Sequence, residues 1–359
     1  MHSAVEYVES LTPWPAEFGL ERMRQLLAEL GDPQRRYPSI HVVGTNGKGT
    51  TTRTIEETLS REGVAAGGYY SPHVTGWAER IRVRGHEADF ERAIERVRPT
   101  AEMLGATQFE VLTAAAFAEF AATGVEVAAV EAGLGGRYDA TNVIDAPIVV
   151  LTNVALEHTD VLGDTRGAIA GEKLAVVRRG ATVVLGEPEW EGLGRRVGAA
   201  DVVVESGGNR ELARSAVRTF LGRDVEPVDV QLPGRLEWHG DDELWDGAHT
   251  PEAVRFLEPH LPRLGAIVAS ILSDKDVDRI LALLARHADA FVATRSSNAR
   301  ALPEAELAER ARGHFRQVEE VAQPERAVAR ARELGTPVLV TGSLYLLADL
   351  AAVRAAHVA

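Results

Sequence analysis

The chain of 359 residues contains no cysteine. It therefore has no disulfide framework, no thiolate nucleophile and no zinc site with cysteine ligands. It also has no apolar run near the roughly 20 residues that span a bilayer. Its first residues lack the basic and apolar regions of a secretory signal. From these absences we expect a cytoplasmic protein that does not bind a membrane.

The chain has fewer basic than acidic residues, and its formal net charge at pH 7 is −14. A general nucleic-acid binder needs clustered Lys and Arg side chains to neutralise phosphates, so we expect no nucleic-acid partner. Any anionic substrate must instead be bound locally, by metal ions, helix N-termini or individual basic side chains.

Lysine is especially rare. The chain has only Lys48, Lys173 and Lys275, against 36 arginines (39 − 3). A lysine amine and an arginine guanidinium differ in shape, charge distribution and reactivity. The three positions that keep lysine are therefore candidates for chemistry that a guanidinium cannot perform.

Apolar runs of strand length alternate with longer helical patterns, which is typical of a parallel α/β sheet. The predicted strands are Ile40–Val43, Val125–Val130, Ile148–Leu151, Thr182–Leu185, Ala266–Ile271, Ala290–Ala293 and Pro337–Val340. The predicted helices are Leu20–Leu30, Gly49–Ser60, Val111–Ala122, Asp278–Ala288 and Pro303–Arg312. The alternation breaks at residues 205–209 and 232–235. Since the chain is also long for one core, we expect two α/β domains, residues 1–230 and 231–359.

A glycine-rich segment joins the first predicted strand to a helix. It reads Gly44-Thr45-Asn46-Gly47-Lys48-Gly49-Thr50. Glycines let the backbone approach phosphate closely, so that its N–H groups and the helix N-terminus face the anion. Lys48 would reach the β- and γ-phosphates, and the Thr50 hydroxyl can bind Mg²⁺. We interpret residues 44–50 as a phosphate loop. Its two residues between Gly44 and Gly47 are fewer than the usual four.

Further motifs follow the phosphate loop along nearly the whole chain. They are Tyr70-Ser71-Pro72-His73, Glu79-Arg80-Ile81, Phe109-Glu110-Val111-Leu112-Thr113, Glu131-Ala132-Gly133-Leu134-Gly135-Gly136-Arg137-Tyr138-Asp139-Ala140-Thr141-Asn142, Leu156-Glu157-His158-Thr159, Glu172-Lys173, Leu232-Pro233-Gly234-Arg235, Asp246-Gly247-Ala248-His249, Asp274-Lys275-Asp276 and Gly342-Ser343-Leu344-Tyr345. With the phosphate loop and in this order, the motifs resemble the folylpolyglutamate synthase/dihydrofolate synthase family of the Mur-ligase superfamily.

The resemblance implies a fold, a reaction and a set of small-molecule partners. The fold is an N-terminal P-loop ATPase domain with a mainly parallel sheet, plus a smaller C-terminal Rossmann-like α/β domain for glutamate ligation. The reaction is ATP-dependent addition of L-glutamate to a pterin or folate carboxylate through an acyl phosphate. The substrates are ATP, L-glutamate, and dihydropteroate or a reduced folate, with the choice between the last two left open. We expect a monomer.

The resemblance also implies the site residues. Two Mg²⁺ ions are expected at Thr50, Ser71, Glu131, His158 and Lys173, the last as a carbamate. The implied ATP-binding residues are Thr45, Asn46, Gly47, Lys48, Gly49, Thr50, Asn209, Arg235 and Asp246. The pterin would contact Thr107, Gln108, Phe109, Glu110, Tyr138, Asp139 and Ala140, with Ala16–Phe18 as a further stretch. The implied catalytic residues are Lys48, Glu131, His158, Lys173 and His249, and Lys275 and Ser343 would serve glutamate in the second domain.

The sequence departs from the family in two places. Thr250 stands where the family usually has asparagine, and the stretch between Lys173 and Arg235 is shorter. Three alternatives stay open: a small-molecule kinase, another amide ligase of the Mur superfamily, and a trimmed nucleotide-binding module without catalysis. The kinase would have no need of a second α/β domain. The third alternative is opposed by the retained set Lys48, Ser71, Glu131, His158 and Lys173.

Overall fold

The computed structural model describes residues 3–15 and 18–358. The chain divides into two compact units. Unit 1 comprises Met1–Pro72 and Trp77–Val230, and unit 2 comprises His73–Gly76 and Gln231–Ala359. Within the part of the chain that is described, no helix is both long enough and apolar enough to cross a membrane.

Unit 1 contains the first eight strands and ten α-helices of the described residues. The strands are β1 (Ser39–Val43), β2 (Ala66–Tyr69), β3 (Ile81–Val83), β4 (His86–Glu87), β5 (Val127–Glu131), β6 (Ile148–Leu151), β7 (Thr182–Leu185) and β8 (Asp201–Val204). The helices are α1 (Ala4–Ser10), α2 (Glu21–Glu29), α3 (Lys48–Arg61), α4 (Phe90–Glu95), α5 (Arg98–Leu104), α6 (Gln108–Thr123), α7 (Thr159–Leu162), α8 (Arg166–Leu174), α9 (Glu191–Arg196) and α10 (Asn209–Leu221).

The strands of unit 1 form one sheet in the order β4-β3-β2-β5-β1-β6-β7-β8. The β2–β3 and β3–β4 pairs are antiparallel, and all other pairs are parallel. In the register of the three central strands, Val42 lies beside Glu131, and Val43 lies beside Leu151. The residues that follow β1, β5 and β6 therefore meet at one edge of the sheet, where parallel α/β proteins bind ligands.

The two faces of this sheet pack against different helices. Side chains alternate along a strand, so Ile40 and Val42 point to the face covered by α3 and α10, where they join Ile55 and Leu212 in one apolar cluster. Val43 points to the other face and belongs to the cluster around α6. Helix α6 is buried on nearly all sides, because its residues from 109 to 120 have almost no exposed surface. Both layers hold the central strands, and their polar ends, in fixed positions.

Unit 2 contains the remaining elements of the described chain. The strands are β9 (Glu237–His239), β10 (Glu243–Trp245), β11 (Ala266–Ala269), β12 (Ala290–Ala293), β13 (Gln317–Glu320) and β14 (Val338–Thr341). The helices are α11 (Pro251–Leu257), α12 (Val277–Leu284), α13 (Glu304–Ala311), α14 (Pro324–Leu334) and α15 (Leu344–Val358). The sheet order is β13-β12-β11-β14-β10-β9, and only the β9–β10 pair is antiparallel.

The predicted fold class is confirmed: both units are α/β with mostly parallel sheets. Each of the seven predicted strands overlaps an observed one. Among the described residues, the sequence prediction missed the other seven strands, β2, β3, β4, β8, β9, β10 and β13. The sequence of β2, Ala-Gly-Gly-Tyr, lacks branched residues, and the outer strands β8 and β13 are partly exposed. Strands at a sheet edge are only partly buried, so their sequences do not form the continuous apolar runs that identify central parallel strands.

Candidate active site

The loop between β1 and α3 is held by the residues that follow β6. The N–H of Thr45 donates to the Asn153 carbonyl oxygen at 2.9 Å, and the N–H of Asn46 donates to Asn153 Oδ1 at 3.0 Å. In return, Asn153 Nδ2 and Thr152 Oγ1 donate to the Asn46 carbonyl oxygen at 2.9 and 2.7 Å. These bonds fix the loop before any ligand binds.

Glycine is required at the first position of this loop. Gly44 has φ +147°, and a Cβ placed on it would lie 1.9 Å from Thr152 Oγ1. The Lys48 amine turns back over the loop and donates to the carbonyl oxygens of Gly44 and Thr45 at 3.1 and 3.2 Å. The cation therefore lies at the N-terminus of α3, where an anion is favoured by both the free N–H groups and the helix dipole.

Two further predicted nucleotide or metal residues adjoin this loop. Thr50 lies in the first turn of α3, half-buried, and its hydroxyl makes no hydrogen bond to the described residues. Asn209, the first residue of α10, packs against Gly47, since a Cβ on that glycine would lie 2.3 Å from Asn209 Oδ1. The structure thus brings Asn209 to the phosphate loop although 161 residues separate it from Lys48 (209 − 48).

Glu131 and Ser71 of the predicted metal set lie together. Glu131 ends β5 and is buried, and its Oε2 accepts a hydrogen bond from the Ser71 N–H at 3.0 Å. His158 is the residue before α7 and has a left-handed backbone conformation, with φ 45°. No group of three His, Asp or Glu side chains among the described residues forms a metal site by itself.

The donor types of Thr50 and Glu131 suit Mg²⁺. The ion prefers carboxylate, hydroxyl, phosphate and water oxygens and rarely relies on a full protein cage. The Glu131 carboxylate and the unengaged Thr50 hydroxyl are such donors, and Thr50 stands at the phosphate loop. A site completed by phosphate oxygens does not need three acidic or histidine side chains.

Lys173 of α8 also contacts the phosphate loop. The lysine is buried, with 1% of its surface exposed. Its Nζ donates to the Gly44 carbonyl oxygen at 2.8 Å and to Glu157 Oε1 at 2.6 Å. Burial lowers the pKa of Lys173 to about 8, although the charge of Glu157 opposes the shift. Burial alone would raise the pKa of Glu157, but the charges of Lys173 and Lys48 outweigh it and lower that pKa.

A cavity of about 230 Å³ lies in unit 1 beside these elements. Six of the predicted pterin residues line it, namely Thr107, Phe109, Glu110, Tyr138, Asp139 and Ala140. Phe18 lines it as well, whereas Ala16 and Glu17 lie outside the described residues. Gln108 does not line the cavity, because its side-chain amide donates to the Val8 carbonyl oxygen at 2.9 Å. The cavity walls are largely aromatic and aliphatic, with carboxylates at a few points.

Asp139 organises the loop that forms one wall of this cavity. Its Oδ2 accepts the Leu134 N–H at 2.8 Å, and its Oδ1 accepts the Thr141 N–H at 3.0 Å. The Thr141 hydroxyl also donates to Oδ1. Burial raises the pKa of Asp139 above its usual value, while the bonds from Thr141 and the backbone oppose the shift. Both carboxylate oxygens of Asp139 thus accept hydrogen bonds from the loop itself and stabilise its conformation.

Behind this loop, a buried histidine of β1 completes a chain of hydrogen bonds. His41 Nε2 lies 2.8 Å from Thr141 Oγ1. Burial lowers the pKa of His41 to about 3, so the imidazole is neutral near pH 7. A hydroxyl has one proton, and that of Thr141 goes to Asp139. His41 therefore carries its proton on Nε2 and donates to Thr141, and its buried Nδ1 has no partner among the described residues.

In unit 2, Asp246 follows β10 and is buried. Its Oδ1 and Oδ2 accept the N–H groups of Ala248 and Leu236 at 2.9 and 3.0 Å. Burial raises the pKa of Asp246, and the charge of Arg235 opposes the shift. His249 Nδ1 lies 2.7 Å from the Gly247 carbonyl oxygen. The backbone on both sides of Asp246 is therefore tied to the carboxylate of this residue.

The predicted glutamate residues lie beyond other strands of unit 2. Lys275 pairs with Asp274 at 3.2 Å, and Ser343 Oγ accepts the Tyr345 N–H at 3.1 Å. Thr250, where the family usually has asparagine, caps α11 by accepting the Ala253 N–H at 3.1 Å. The hydroxyl of Thr250 thus has a local structural role in this chain.

Several residues of the site were not predicted from the sequence. Thr152 bonds to the phosphate loop, and Glu157 pairs with Lys173. Trp14 and Glu172 line the cavity. Thr152 directly follows a predicted strand, and this position could have marked it as a site residue. Glu157 belongs to a recognised motif but was not singled out from it. Glu172 likewise belongs to a recognised motif, Glu172-Lys173, but was not singled out, and nothing in the local sequence pattern marked Trp14.

The chain matches two domain families. The family described as the Mur ligase middle domain matches residues 42–185, and the family described as Mur ligase, glutamate ligase domain matches residues 234–344. Among curated proteins, the dihydrofolate synthase/folylpolyglutamate synthase of Escherichia coli strain K12 is 32% identical over 408 residues, which cover 97% of this chain and 94% of that protein.

Solved structures agree with these matches. E. coli FolC in complex with DHPP and ADP has a TM-score of 0.88 and 28% identity, and the match covers 100% of this chain and 99% of that one. The bifunctional folylpolyglutamate synthase/dihydrofolate synthase of Yersinia pestis, complexed with AMPPNP and Mn ion, has a TM-score of 0.85 and 27% identity, covering 99% and 98% of the two chains.

Proposed function

The chain is an ATP-dependent ligase of the dihydrofolate synthase/folylpolyglutamate synthase family, and we propose that it adds L-glutamate to the carboxylate of dihydropteroate or a reduced folate. ATP and a divalent cation are proposed as its co-substrate and cofactor. Relatives solved with DHPP, ADP, AMPPNP or Mn support this choice of ligands. The cytoplasmic location and the monomeric state stay predictions.

One relationship in unit 1 carries the proposal. Glu172 lines the cavity, and the next residue, Lys173, donates to the phosphate-loop carbonyl of Gly44. The loop of residues 133–142 packs on the same helix, because a Cβ on Gly136 would lie 2.6 Å from the Lys173 carbonyl oxygen. An apolar cavity and a phosphate loop are therefore joined through adjacent residues of α8. This is the arrangement that transfer of a phosphoryl group onto a bound carboxylic acid requires.

The reaction proposed for this site has two steps. A substrate carboxylate oxygen attacks the γ-phosphorus of ATP, the bond to the bridging oxygen breaks, and ADP leaves. The amine of glutamate then attacks the acyl carbon, the carbon–oxygen bond to phosphate breaks, and the amine proton is lost to solvent. Lys48 and the N–H groups of the phosphate loop are proposed to stabilise the charge on the transferring group, which is the main requirement of phosphoryl transfer.

Bound divalent cations would neutralise phosphate charge, and we propose Thr50, Ser71, Glu131 and His158 as residues that hold two Mg²⁺ ions. The unengaged Thr50 hydroxyl and the buried Glu131 carboxylate support this set. For ATP we propose Thr45, Asn46, Gly47, Gly49, Asn209, Arg235 and Asp246. For glutamate we propose Lys275 and Ser343, with His249 as a catalytic residue of unit 2.

We also propose that Lys173 becomes carbamylated. A neutral amine attacks CO₂, a nitrogen–carbon bond forms, and a proton is released. The lowered pKa of Lys173 supports this step, since burial increases the fraction of neutral amine. Carbamylation would replace a cation beside Glu157 with an anion. The modified side chain would then need a nearby cation, in agreement with a role as metal ligand.

The experiment that tests the function measures ATP hydrolysis and product mass with purified full-length chain, Mg²⁺ and L-glutamate. Dihydropteroate and tetrahydrofolate are supplied separately. We expect turnover that depends on a pterin, and a product heavier by one glutamyl residue. ATP hydrolysis with both pterins inert and another carboxylate accepted would assign the chain to another ligase branch. No ATP turnover under any condition would indicate a module without catalysis.

A further inference from the structure

Glu110 occupies an unusual position in the cavity wall. The residue lines the cavity, yet only 4% of its surface is exposed. Its Oε2 accepts three hydrogen bonds from the described residues, each of 2.8 Å, from Thr107 N, Thr107 Oγ1 and Arg22 Nε. Three donors on one oxygen fix the plane of the carboxylate and the direction of the other oxygen.

The other oxygen, Oε1, accepts no hydrogen bond from the described residues. Oε1 is absent from the fully buried polar atoms that lack a partner, so this oxygen is partly exposed. Because Glu110 lines the cavity, the open space beside Oε1 is the place where a ligand would lie. A carboxylate oxygen in an apolar pocket is a strong acceptor for an N–H donor of the ligand.

A simpler role accounts for only part of this geometry. Glu110 is the third residue of α6, and its bonds to Thr107 form the capping box of that helix. A capping box needs no arginine. Arg22 comes from α2, 88 residues away in sequence, and its side chain is about one-third exposed. The ion pair therefore brings the positive charge of Arg22 to Glu110, and the helix cap alone does not require that charge.

We propose that Arg22 is a positioning residue for the ligase reaction: it holds Glu110 by Oε2 so that Oε1 faces the cavity and accepts a hydrogen bond from the heterocyclic ring of the substrate. This inference rests on the proposed function, because it takes the cavity to be the pterin site. Arg22 itself need not touch the ligand. Without it, the carboxylate keeps its two bonds to Thr107 but loses the donor that comes from outside the helix cap.

The test compares Arg22→Ala and Arg22→Lys with Arg24→Ala as the matched control. Arg24 lies on the same helix, is exposed, and does not line this cavity. For each variant, kcat and the KM values for dihydropteroate, ATP and glutamate are measured, together with the thermal unfolding midpoint. For Arg22→Ala we expect a roughly tenfold higher KM for dihydropteroate. The KM for ATP should stay within about twofold, and Arg22→Lys should recover part of the loss.

A double-mutant cycle separates positioning from general stability. In the Glu110→Gln background, Arg22→Ala should raise the KM for dihydropteroate by less than about twofold, because the carboxylate it positions is already gone. Equal effects of Arg22→Ala in both backgrounds, or an Arg22→Ala enzyme indistinguishable from Arg24→Ala, would overturn the inference. A parallel rise in the KM for ATP would assign Arg22 to the fold instead. Wild-type protein without pterin-dependent turnover would overturn the proposed function, and this inference with it.

Discussion

The amine of Lys173 lies 2.6 Å from Glu157 Oε1 and donates to the Gly44 carbonyl oxygen at 2.8 Å. One buried side chain thus links the helix that borders the cavity to the first residue of the phosphate loop. Desolvation of the amine lowers its pKa to about 8, against the opposing charge of Glu157. Because of these contacts, changes at Lys173 test the proposed chemistry directly.

Carbamylation of Lys173 is the first prediction. Protein equilibrated with ¹³C-bicarbonate should show a carbamate signal by NMR that disappears on acidification and returns with bicarbonate, because only the neutral amine binds CO₂. The chain has three lysines, so Lys275→Arg serves as the matched control and should keep the signal. Lys173→Arg should lose the signal and nearly all ligase activity, and Lys173→Ala should regain some activity with a small added carboxylic acid. A signal that survives Lys173→Arg would refute the assignment.

Lys48→Ala should abolish ligase turnover while leaving the fold intact. The Lys48 amine bonds only to carbonyl oxygens of its own loop among the described residues, so its removal costs little folding free energy. Turnover would fall because the charge of the transferring phosphoryl group loses its cation. Steady-state kinetics and the thermal unfolding midpoint check both parts. Near-wild-type activity would show that residues 44–50 do not bind the reacting phosphates.

Glu131→Gln should raise the Mg²⁺ concentration needed for half-maximal activity by roughly tenfold or more, because a neutral amide is a poor ligand for a hard cation. The amide oxygen can still accept the Ser71 N–H, so the local structure should persist. Glu126→Gln is the control, since Glu126 lies before the same strand and bonds to the Ala65 N–H. Superimposable Mg²⁺ titrations of the wild type and Glu131→Gln would remove Glu131 from the metal site.

His41 should make folding stability fall as pH drops below neutrality. Its folded-state pKa of about 3 is lower than the ordinary value of 6.5. The unfolded chain therefore binds a proton that the folded chain does not bind between these two values. The wild type should lose about 2 kcal/mol of unfolding free energy between pH 7 and pH 5 through this group.

Urea unfolding at the two pH values measures this contribution. His41→Gln keeps a side-chain donor for Thr141 but cannot ionise, so its stability should change less between pH 7 and pH 5. His86→Gln, at an exposed position in β4, should behave like the wild type. The same pH dependence in wild type and His41→Gln would mean that His41 does not stay neutral in the folded protein.

Residue patterns along the chain were sufficient for the fold class and for the glycine-rich loop between β1 and α3. Central parallel strands are buried on both faces, so Ile40–Val43 and Ile148–Leu151 read as continuous apolar runs. The glycines around Lys48 carry a local conformational requirement, as the left-handed φ of 81° at Gly47 illustrates. Such signals depend on neighbours in sequence, and they were correct for that reason.

The partnerships that shape the site were decided only by the tertiary structure. Arg22 and Glu110 are 88 residues apart, and His41 and Thr141 are 100 residues apart. Even the Lys173–Glu157 pair spans 16 residues and a helix boundary. An arginine, a histidine or a glutamate in isolation is compatible with many partners. Which pair forms, and which carboxylate oxygen is left for a ligand, depends on how helices and strand ends pack, because burial forces each polar group to find its partner in space.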